Sequence, residues 1–323
     1  MSLTVAFIGL NHLSVSAALA LRDSSDQFEI KAWDANGEIR KDLAQKNIFN
    51  SIEKNPGSAS KDSDLVIMAL PVDEINTILP ALKPYMDTHG ALIHLGAVQL
   101  PIFQWVKEIF GNDCRFISMF PAQSAATLTL QSPGVATASG SFFEGGLVYI
   151  ADAPGIPADM LELAIHLAVI LGGQPVITSP DELEGLVMTN MVIPQLVAAS
   201  LMKSTAGQPG WSEGQHVAGR FLFKMTEPLL VMLENDNFGK SMVSHGENLA
   251  LMLDKFGKEV DEIRHILAIK DEQQLHTYFQ DAIEKRNQWI KSRSQSQIST
   301  QMATSIPTKE TAVQYVLAGN REK

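Results

Sequence analysis

The chain has 323 residues, 45% of them hydrophobic, and its formal net charge is −11. This length is enough for two ordinary domains with substantial cores, and the acidic balance argues against nucleic acid or an anionic membrane as a partner. The single cysteine, Cys114, excludes an intrachain disulfide, and we find neither a basic leader nor an apolar run of the ~18 residues that a membrane span needs, so we expect a cytoplasmic protein.

The first predicted elements are a strand, a tight turn, a helix and a second strand. Leu3–Ile8 is a short run of β-forming residues that stops at Gly9. A helix-period segment follows, with one apolar face made of Leu13, Ala17, Ala20 and Leu21. The second run, Phe28–Trp33, ends at Asp34. This order is typical of the opening unit of a dinucleotide-binding fold, in which the helix N-terminus faces the pyrophosphate and the acid takes the ribose hydroxyls.

The glycine fingerprint of that fold, G-x-G-x-x-G, is incomplete. Glycine is expected at positions 9, 11 and 14, but the chain has Gly9, Asn11 and Ser14. Asparagine tolerates left-handed backbone and serine is small, so the turn can survive, but we expect the Asn11 side chain to point into the space where the backbone should approach phosphate. The turn either binds a dinucleotide or belongs to a Rossmann-shaped domain that binds nucleotide weakly or not at all. If it binds one, Asp34 favours NAD, because it would repel the 2′-phosphate of NADP.

Nine residues form the predicted cofactor site. They are Gly9, Leu10, Asn11, His12, Leu13, Asp34, Leu70, Pro71 and Gly96. His12 opens the first helix and either touches phosphate or faces solvent, and we favour solvent.

Helices and strands alternate through about residue 179. We predict further strands over Asp64–Pro71, Ala91–Gly96, Cys114–Met119, Gly146–Ile150 and Gln174–Thr178. We predict helices over Gly37–Lys46, from Pro71 to Leu79, and over Ile102–Phe110 and Ala158–Leu171, with an irregular connection at Asn47–Ser60. This alternation predicts an α/β domain over residues 1–179, with a doubly wound, mostly parallel Rossmann sheet.

The pattern is helical from Pro180 to about Lys291. The predicted segments are Asp181–Lys203, Met225–Asn235, Lys240–Phe256, Val260–Leu267 and Glu272–Lys291. The first of these is so apolar that we expect it to be buried within a domain or a dimer interface. Residues 180–291 are therefore predicted to form an all-helical dimerisation and substrate domain. Residues 292–323 are predicted to be a Ser/Gln-rich linker and a short C-terminal helix, Thr308–Leu317, that ends before Gly319.

Several segments together resemble the prephenate/arogenate dehydrogenase family, a branch of the 6-phosphogluconate-dehydrogenase-like enzymes. They are Ile8-Gly9-Leu10, Asp34, Ala69–Ile75, Gly90–Gln99, Phe116–Ser124 and Gly210–Ala218. The resemblance covers roughly residues 3 to 290. It implies NAD-dependent oxidative decarboxylation in tyrosine biosynthesis, a homodimer made through helical C-terminal domains, and an active site in the cleft between domains. It also implies a histidine that polarises the ring hydroxyl, an assisting serine and an arginine that clamps a carboxylate.

The chain departs from the family pattern at each of those places. H-P-M-A-G reads Phe120-Pro121-Ala122-Gln123-Ser124, so Phe120 stands where the histidine is expected. D-x-G-S-x-K reads His94-Leu95-Gly96-Ala97-Val98-Gln99, so the serine has become Ala97. In G-F-R-D-x-T-R, the two arginines are replaced by Ser212 and His216. S-H-L-P-H reads Met191-Val192-Ile193-Pro194-Gln195.

A charge count also argues against a dianionic substrate such as prephenate. From Phe116 through Met202 there is no lysine or arginine. Seven carboxylates lie in that span: Glu144, Asp152, Asp159, Glu162, Asp181, Glu182 and Glu184. Burying an unpaired charge costs several kcal/mol, so a dianion needs cations, which Arg220 or a partner subunit would have to supply.

Three polar residues are the candidate catalytic residues. Gln123 lies in a loop at a strand end, where doubly wound folds place ligands. Asn190 either hydrogen-bonds a substrate or the nicotinamide amide, or joins two helices. His216 either binds an acid when protonated or is an ordinary surface histidine. His94, on an apolar strand, reads as a core histidine, and no metal-ligand spacing is found.

Three functions remain open. The first is an NAD-dependent oxidoreductase of this family, with a cleft rebuilt for a small molecule other than prephenate. The second is a catalytically silent, NAD-binding homodimer that acts as a sensor or interaction protein. The third is a true prephenate dehydrogenase that uses unusual residues.

Overall fold

The computed structural model describes residues 2–86, 90–112, 114–124, 127–128, 134–230, 242–243, 246–294 and 306–319. The chain divides into two compact units. The first unit is Met1–Leu183 with Asn287–Lys323, and the second unit is Glu184–Arg286.

The first unit is built on one eight-stranded sheet in the order β3-β2-β1-β4-β5-β6-β7-β8. The strands are β1 (Leu3–Ile8), β2 (Phe28–Trp33), β3 (Ser51–Ile52), β4 (Leu65–Met68), β5 (Ala91–Leu95), β6 (Phe116–Pro121), β7 (Leu147–Ala151) and β8 (Gln174–Thr178). Every neighbouring pair is parallel except β6 with β7, which is antiparallel. The predicted doubly wound, mostly parallel sheet is confirmed.

Helices cover both faces of this sheet. They are α1 (His12–Ser24), α2 (Gly37–Ala44), α3 (Pro56–Ser60), α4 (Val72–Leu82), α5 (Leu100–Phe110) and α6 (Ala158–Ile170). Leu21 of α1 and Leu167 of α6 belong to the hydrophobic cluster on one face. Ile75 of α4 and Val106 of α5 belong to the cluster on the other face. The apolar stripe of each helix therefore packs against the sheet, as the periodicity predicts.

The segment read as an irregular connection, Asn47–Ser60, contains two short elements. β3 pairs with β2 through Lys31 and Ser51. Pro56 opens α3, and the side chain of Asn55 caps this helix by accepting a hydrogen bond from the Ser58 amide at 2.8 Å. The prediction was wrong because proline at the first helical position favours a helix start rather than a loop.

The predicted C-terminal helix is present as Lys309–Ala318, and it packs against α6. Thr308 caps its start, and Gly319 follows its end. Tyr315 stacks on His166 with ring centroids 3.9 Å apart, and its hydroxyl donates to Glu162 at 2.7 Å. Ala312 belongs to the same core cluster as α1 and α6. This helix therefore completes the core of the first unit.

The described part of residues 180–294 is helical and contains no strand, as predicted. It comprises α7 (Pro180–Val187), a π-helical turn (Met188–Val192), α8 (Ile193–Ala206), α9 (Trp211–Val217), α10 (Arg220–Thr226), α11 (Gly246–Ile269) and α12 (Glu272–Ser294). The C-terminal helix Lys309–Ala318 is then α13. The helix predicted at Val260–Leu267 and residues 246–256 of the helix predicted at Lys240–Phe256 are parts of the single helix α11. Residues 240, 241, 244 and 245 of the second prediction lie outside the described residues. Of the helix predicted at Met225–Asn235, residues 231–235 lie outside the described residues.

One helical segment differs from the expectation about membrane spans. Among the described residues, Pro180–Ala206 is long and apolar enough, by length and composition alone, to cross a membrane. The expectation that no such run exists was wrong, because the few charges of this segment lie at its ends. A core helix of a soluble protein passes the same test, so the absence of a membrane partner remains a prediction.

Candidate functional site

The turn after β1 can be made only by glycine. Gly9 has φ +92°, and a Cβ built there would lie 2.6 Å from the carbonyl oxygen of Ala69 and 2.7 Å from a methyl group of Leu70. The backbone of Gly9 therefore passes directly against the end of β4. Strand β1 lies between β2 and β4, where the strand order reverses, which is the place where doubly wound sheets bind ligands.

Asp34 is held beside this turn at the end of β2. Its Oδ2 accepts a hydrogen bond from the Leu10 amide at 2.6 Å, and its Oδ1 accepts one from the Asn36 amide at 2.7 Å. Each carboxylate oxygen can accept a second hydrogen bond, and the side chain is only half-buried. Asp34 is therefore placed to accept hydroxyl groups from a ligand.

Two charged residues near Asp34 were missed by the sequence analysis. Burial, and then the neighbouring carboxylate of Asp34, raise the pKa of Glu74 in the first turn of α4. Arg40 donates hydrogen bonds to the carbonyl oxygens of Asp34 and Ala35. Arg40 lies in no motif and Glu74 lies within the Ala69–Ile75 segment, but only the fold brings both beside Asp34. The end of β2 is thus surrounded by two carboxylates and one guanidinium.

Asn11 and Ser14 form a capping box at the start of α1. The Asn11 Oδ1 accepts hydrogen bonds from the amides of Leu13 and Ser14, at 2.9 and 3.1 Å. The Ser14 hydroxyl accepts one from the Asn11 amide at 3.0 Å. The Asn11 Nδ2 donates to the Ala69 carbonyl at 2.8 Å. The Asn11 side chain therefore lies across the start of α1, because the unmet amides of a helix start attract an asparagine oxygen.

His12 is buried, which contradicts the expectation that it faces solvent. Its Nδ1 lies 2.9 Å from the carbonyl oxygen of Gly134, and its ring meets Phe142 edge-on at 4.4 Å between centroids. The segment 134–143 runs along α1, where the Ser139 amide also donates to the Ser16 hydroxyl at 3.1 Å. This segment, far along the chain, covers the imidazole.

The other predicted cofactor residues have varied positions. Leu13 is half-buried on α1, and Leu70 packs against Gly9. Pro71 is half-buried and caps α4 without a side-chain hydrogen bond. Gly96 follows β5, and a Cβ there would lie 2.5 Å from the Nε2 of His94. Direct contacts thus join Gly9, Leu10, Asn11, Leu70 and Asp34 around one turn.

His94 lies in the core, as the apolar strand predicts. Its Nδ1 is 2.7 Å from the hydroxyl of Ser118 on the neighbouring strand, and burial lowers its pKa to about 3. The imidazole is therefore neutral at ordinary pH. Gln99, which replaces a family lysine, is fully buried and donates to the carbonyl oxygens of Gly96 and Ala97 at 2.8 and 3.3 Å. It holds the loop between β5 and α5.

The three candidate catalytic residues all have exposed side chains. Gln123 lies in the first unit, just after β6, and Phe120 near it is half-buried. Asn190 lies in the π-helical turn of the second unit, where its Nδ2 donates to the Leu186 carbonyl at 2.7 Å. His216 lies near the end of α9. Among the described residues, no group of three or more His, Cys, Asp or Glu side chains is arranged to hold a metal ion.

Known proteins resemble this chain along most of its length. No protein-family model matches it. It is 20% identical over 292 residues to the cyclohexadienyl dehydrogenase of Zymomonas mobilis, covering 87% of this chain and 94% of that protein. It is 21% identical over 288 residues to the prephenate dehydrogenase of Bacillus subtilis, covering 88% of this chain and 75% of that protein. Among solved structures, the prephenate dehydrogenase from A. aeolicus in complex with hydroxyphenyl propionate and NAD+ superposes with a TM-score of 0.75 at 19% identity, covering 89% of this chain and 98% of that one.

The sequence similarity and the shared fold agree with the family motifs found in the sequence. The low identity agrees with the departures from those motifs, such as Phe120 and Ala97. The resemblance is confirmed at low identity: this chain is similar in sequence and in fold to prephenate and arogenate dehydrogenases.

Proposed function

We propose that this protein is an NAD-dependent oxidoreductase whose substrate is not prephenate. The observation that carries the proposal is the carboxylate of Asp34, held by the Leu10 amide beside the Gly9 turn. Gly9 permits the tight turn between β1 and α1, and Asp34 keeps lone pairs for the ribose hydroxyls. These two residues fit NAD, which when bound supplies the nicotinamide ring that accepts a hydride.

The charges at the end of β2 favour NAD over NADP. Asp34 and Glu74 oppose a 2′-phosphate, and the guanidinium of Arg40 already donates to two backbone carbonyl oxygens. Calorimetry should therefore give a lower Kd for NAD than for NADP. Asp34→Asn should reduce the ratio of the NADP Kd to the NAD Kd. Asp26 is an exposed acid in the turn before β2, and Asp26→Asn should leave that ratio unchanged. An NADP preference in the unaltered chain would remove Asp34 from this role.

The proposed substrate is a neutral or monoanionic cyclic alcohol. Phe120 accepts no proton, and a general base is typically worth about 10²–10⁴ in rate. Ser212 and His216 supply no guanidinium that could bind a carboxylate bidentately. The charge-assisted hydrogen bonds of such a pair are roughly twice as strong as neutral ones. Arg115, the cation just before the lysine- and arginine-free span, pairs with Asp159 at 2.6 Å. Together these residues argue against a dianion.

The deciding assay mixes the protein with NAD and prephenate and follows cofactor reduction by absorbance. We expect no turnover in the usual enzymatic range of about 1–10³ s⁻¹. Turnover in that range would refute the proposed change of substrate. A screen of neutral and monoanionic cyclic alcohols then follows, and one oxidised member would identify the substrate class.

The second candidate is a catalytically silent, NAD-binding homodimer that acts as a sensor or interaction protein. The observation that favours it is a set of large apolar side chains on α9 and α10 that are exposed in the single chain: Val217, Phe221, Phe223 and Met225. Such a set is typical of an interface. We propose that the second unit dimerises through this face. NAD binding without turnover of any tested alcohol would support this candidate over the enzyme.

A further inference from the structure

The start of α1 has almost no backbone donor left for a ligand. In this turn the amide of Leu10 donates to Asp34, that of Asn11 to Ser14, and those of Leu13 and Ser14 to the Asn11 side chain. The amide of Gly9 donates to the Trp33 carbonyl at 2.8 Å. Among the described residues, the His12 amide alone in this turn has no partner. A dinucleotide pyrophosphate normally binds to such amides at a helix N-terminus.

We propose that the Asn11–Ser14 capping box occupies the pyrophosphate site from within, so that a dinucleotide binds tightly only when the box opens. The Asn11 Oδ1 accepts from two amides in the way that a phosphate oxygen does. Its Nδ2 is fixed to the carbonyl of Ala69, the residue after β4, which holds the oxygen in that position. Asn11 therefore sets the affinity of the site. The identity of the dinucleotide as NAD rests on the proposed function, but occupation of the phosphate position does not.

A second observation at the same turn points to a ligand. The carbonyl oxygen of Gly134 can only accept a hydrogen bond, so the Nδ1 of His12 carries the proton and donates it. In the neutral imidazole the Nε2 is then an acceptor, and it is buried with no hydrogen-bond partner among the residues that the structure describes. A buried acceptor of this kind is costly unless a ligand or a water donates to it. The turn thus combines amides that are already satisfied with one imidazole nitrogen that is not.

The experiment compares Asn11→Gly with a matched control, Asn55→Gly. Both residues cap a helix of the first unit with a side-chain oxygen. Glycine at a cap changes helix stability only slightly, so both variants should fold, which circular dichroism and urea unfolding check. The probes are inorganic pyrophosphate, ADP, adenosine and NAD, each measured by calorimetry.

We expect the unaltered chain to bind ADP no more tightly than adenosine, because its phosphate position is filled. Asn11→Gly should bind ADP and pyrophosphate on the order of 10-fold more tightly, because removal of the Asn11 oxygen frees the amides of Leu13 and Ser14 to donate to phosphate. Adenosine binding should be unchanged. Asn55→Gly should match the unaltered chain. An ADP affinity in the unaltered chain well above that of adenosine, or no gain in Asn11→Gly, would overturn the inference.

The two proposals fail in different ways. If neither the unaltered chain nor Asn11→Gly binds NAD, the oxidoreductase proposal is wrong. The pyrophosphate measurement on Asn11→Gly still decides whether the capping box fills the phosphate position.

Discussion

Replacing Gly9 by alanine tests whether the close approach of β1 to β4 is essential to the fold. The glycine has φ +92°, and left-handed backbone costs an ordinary residue about 1–2 kcal/mol. The new methyl group would also lie 2.6 Å from the Ala69 carbonyl oxygen, which belongs to the backbone and cannot rotate away. Overpacking of this kind costs about 1–3 kcal/mol. We therefore expect Gly9→Ala to lower the free energy of unfolding by about 2–5 kcal/mol.

Gly111→Ala separates the two contributions. Gly111 has φ +94°, and no described atom lies within 4 Å of a Cβ placed there. This variant should lose only the backbone cost, about 1–3 kcal/mol for a side chain at φ +94° and ψ −177°. Urea unfolding of both variants, with midpoints compared at equal m values, measures the difference. Equal losses in the two variants would refute the argument that Ala69 forbids a side chain at position 9.

Three further predictions concern the C-terminal helix, the buried histidine and the exposed apolar face. Val316→Asp places a charge where a side chain is 3% exposed, so it should undock α13 and lower the urea midpoint, while Gln314→Asp on the exposed side should not. The pKa of His94 is lowered on folding to about 3, so the contribution of the neutral imidazole to stability is complete above pH 6.5 and is lost as the pH falls towards 3. Between pH 7 and pH 5 this effect lowers the free energy of unfolding by about 2 kcal/mol. His94→Gln should remove that part of the pH dependence, which urea unfolding at pH 7 and at pH 5 measures. Phe221→Glu changes a side chain that is 90% exposed, so it should convert the dimer to folded monomers, which light scattering detects. A charge at Ala198, which is 1% exposed, should instead unfold the second unit itself. An unchanged mass for Phe221→Glu would place the interface elsewhere.

The sheet could be predicted because its signals are local. The runs Leu3–Ile8 and Gln174–Thr178 combine β-forming residues with a glycine next to one end, and the structure places strands at the same residues. β3 could not be predicted in this way, since two residues carry no periodicity and the strand exists only by pairing with β2. The continuity of α11 across Gly257 was also missed, because a glycine in a helix is a cost and not a stop.

The site could be predicted only in part, for a related reason. Gly9 and Asp34 follow from their positions after two strands, and the structure brings them to the same turn. The orientation of Asn11 depends on a carbonyl 58 residues away, and the burial of His12 depends on one 122 residues away. No pattern in the sequence encodes those distances. Partners distant in the chain therefore decide what the turn can bind.

Because α13 packs on α6, the first unit cannot be complete until the ribosome has synthesised the C-terminal end of the chain. The strands emerge first, at about 5–20 residues per second, but Ala312 and Val316 belong to the same core and are made only after the whole second unit. During that interval the nascent chain carries an uncovered apolar surface on α6, of the kind that chaperones recognise. Completion of this core is therefore a late event of biosynthesis, because its last residues follow the second unit in the chain.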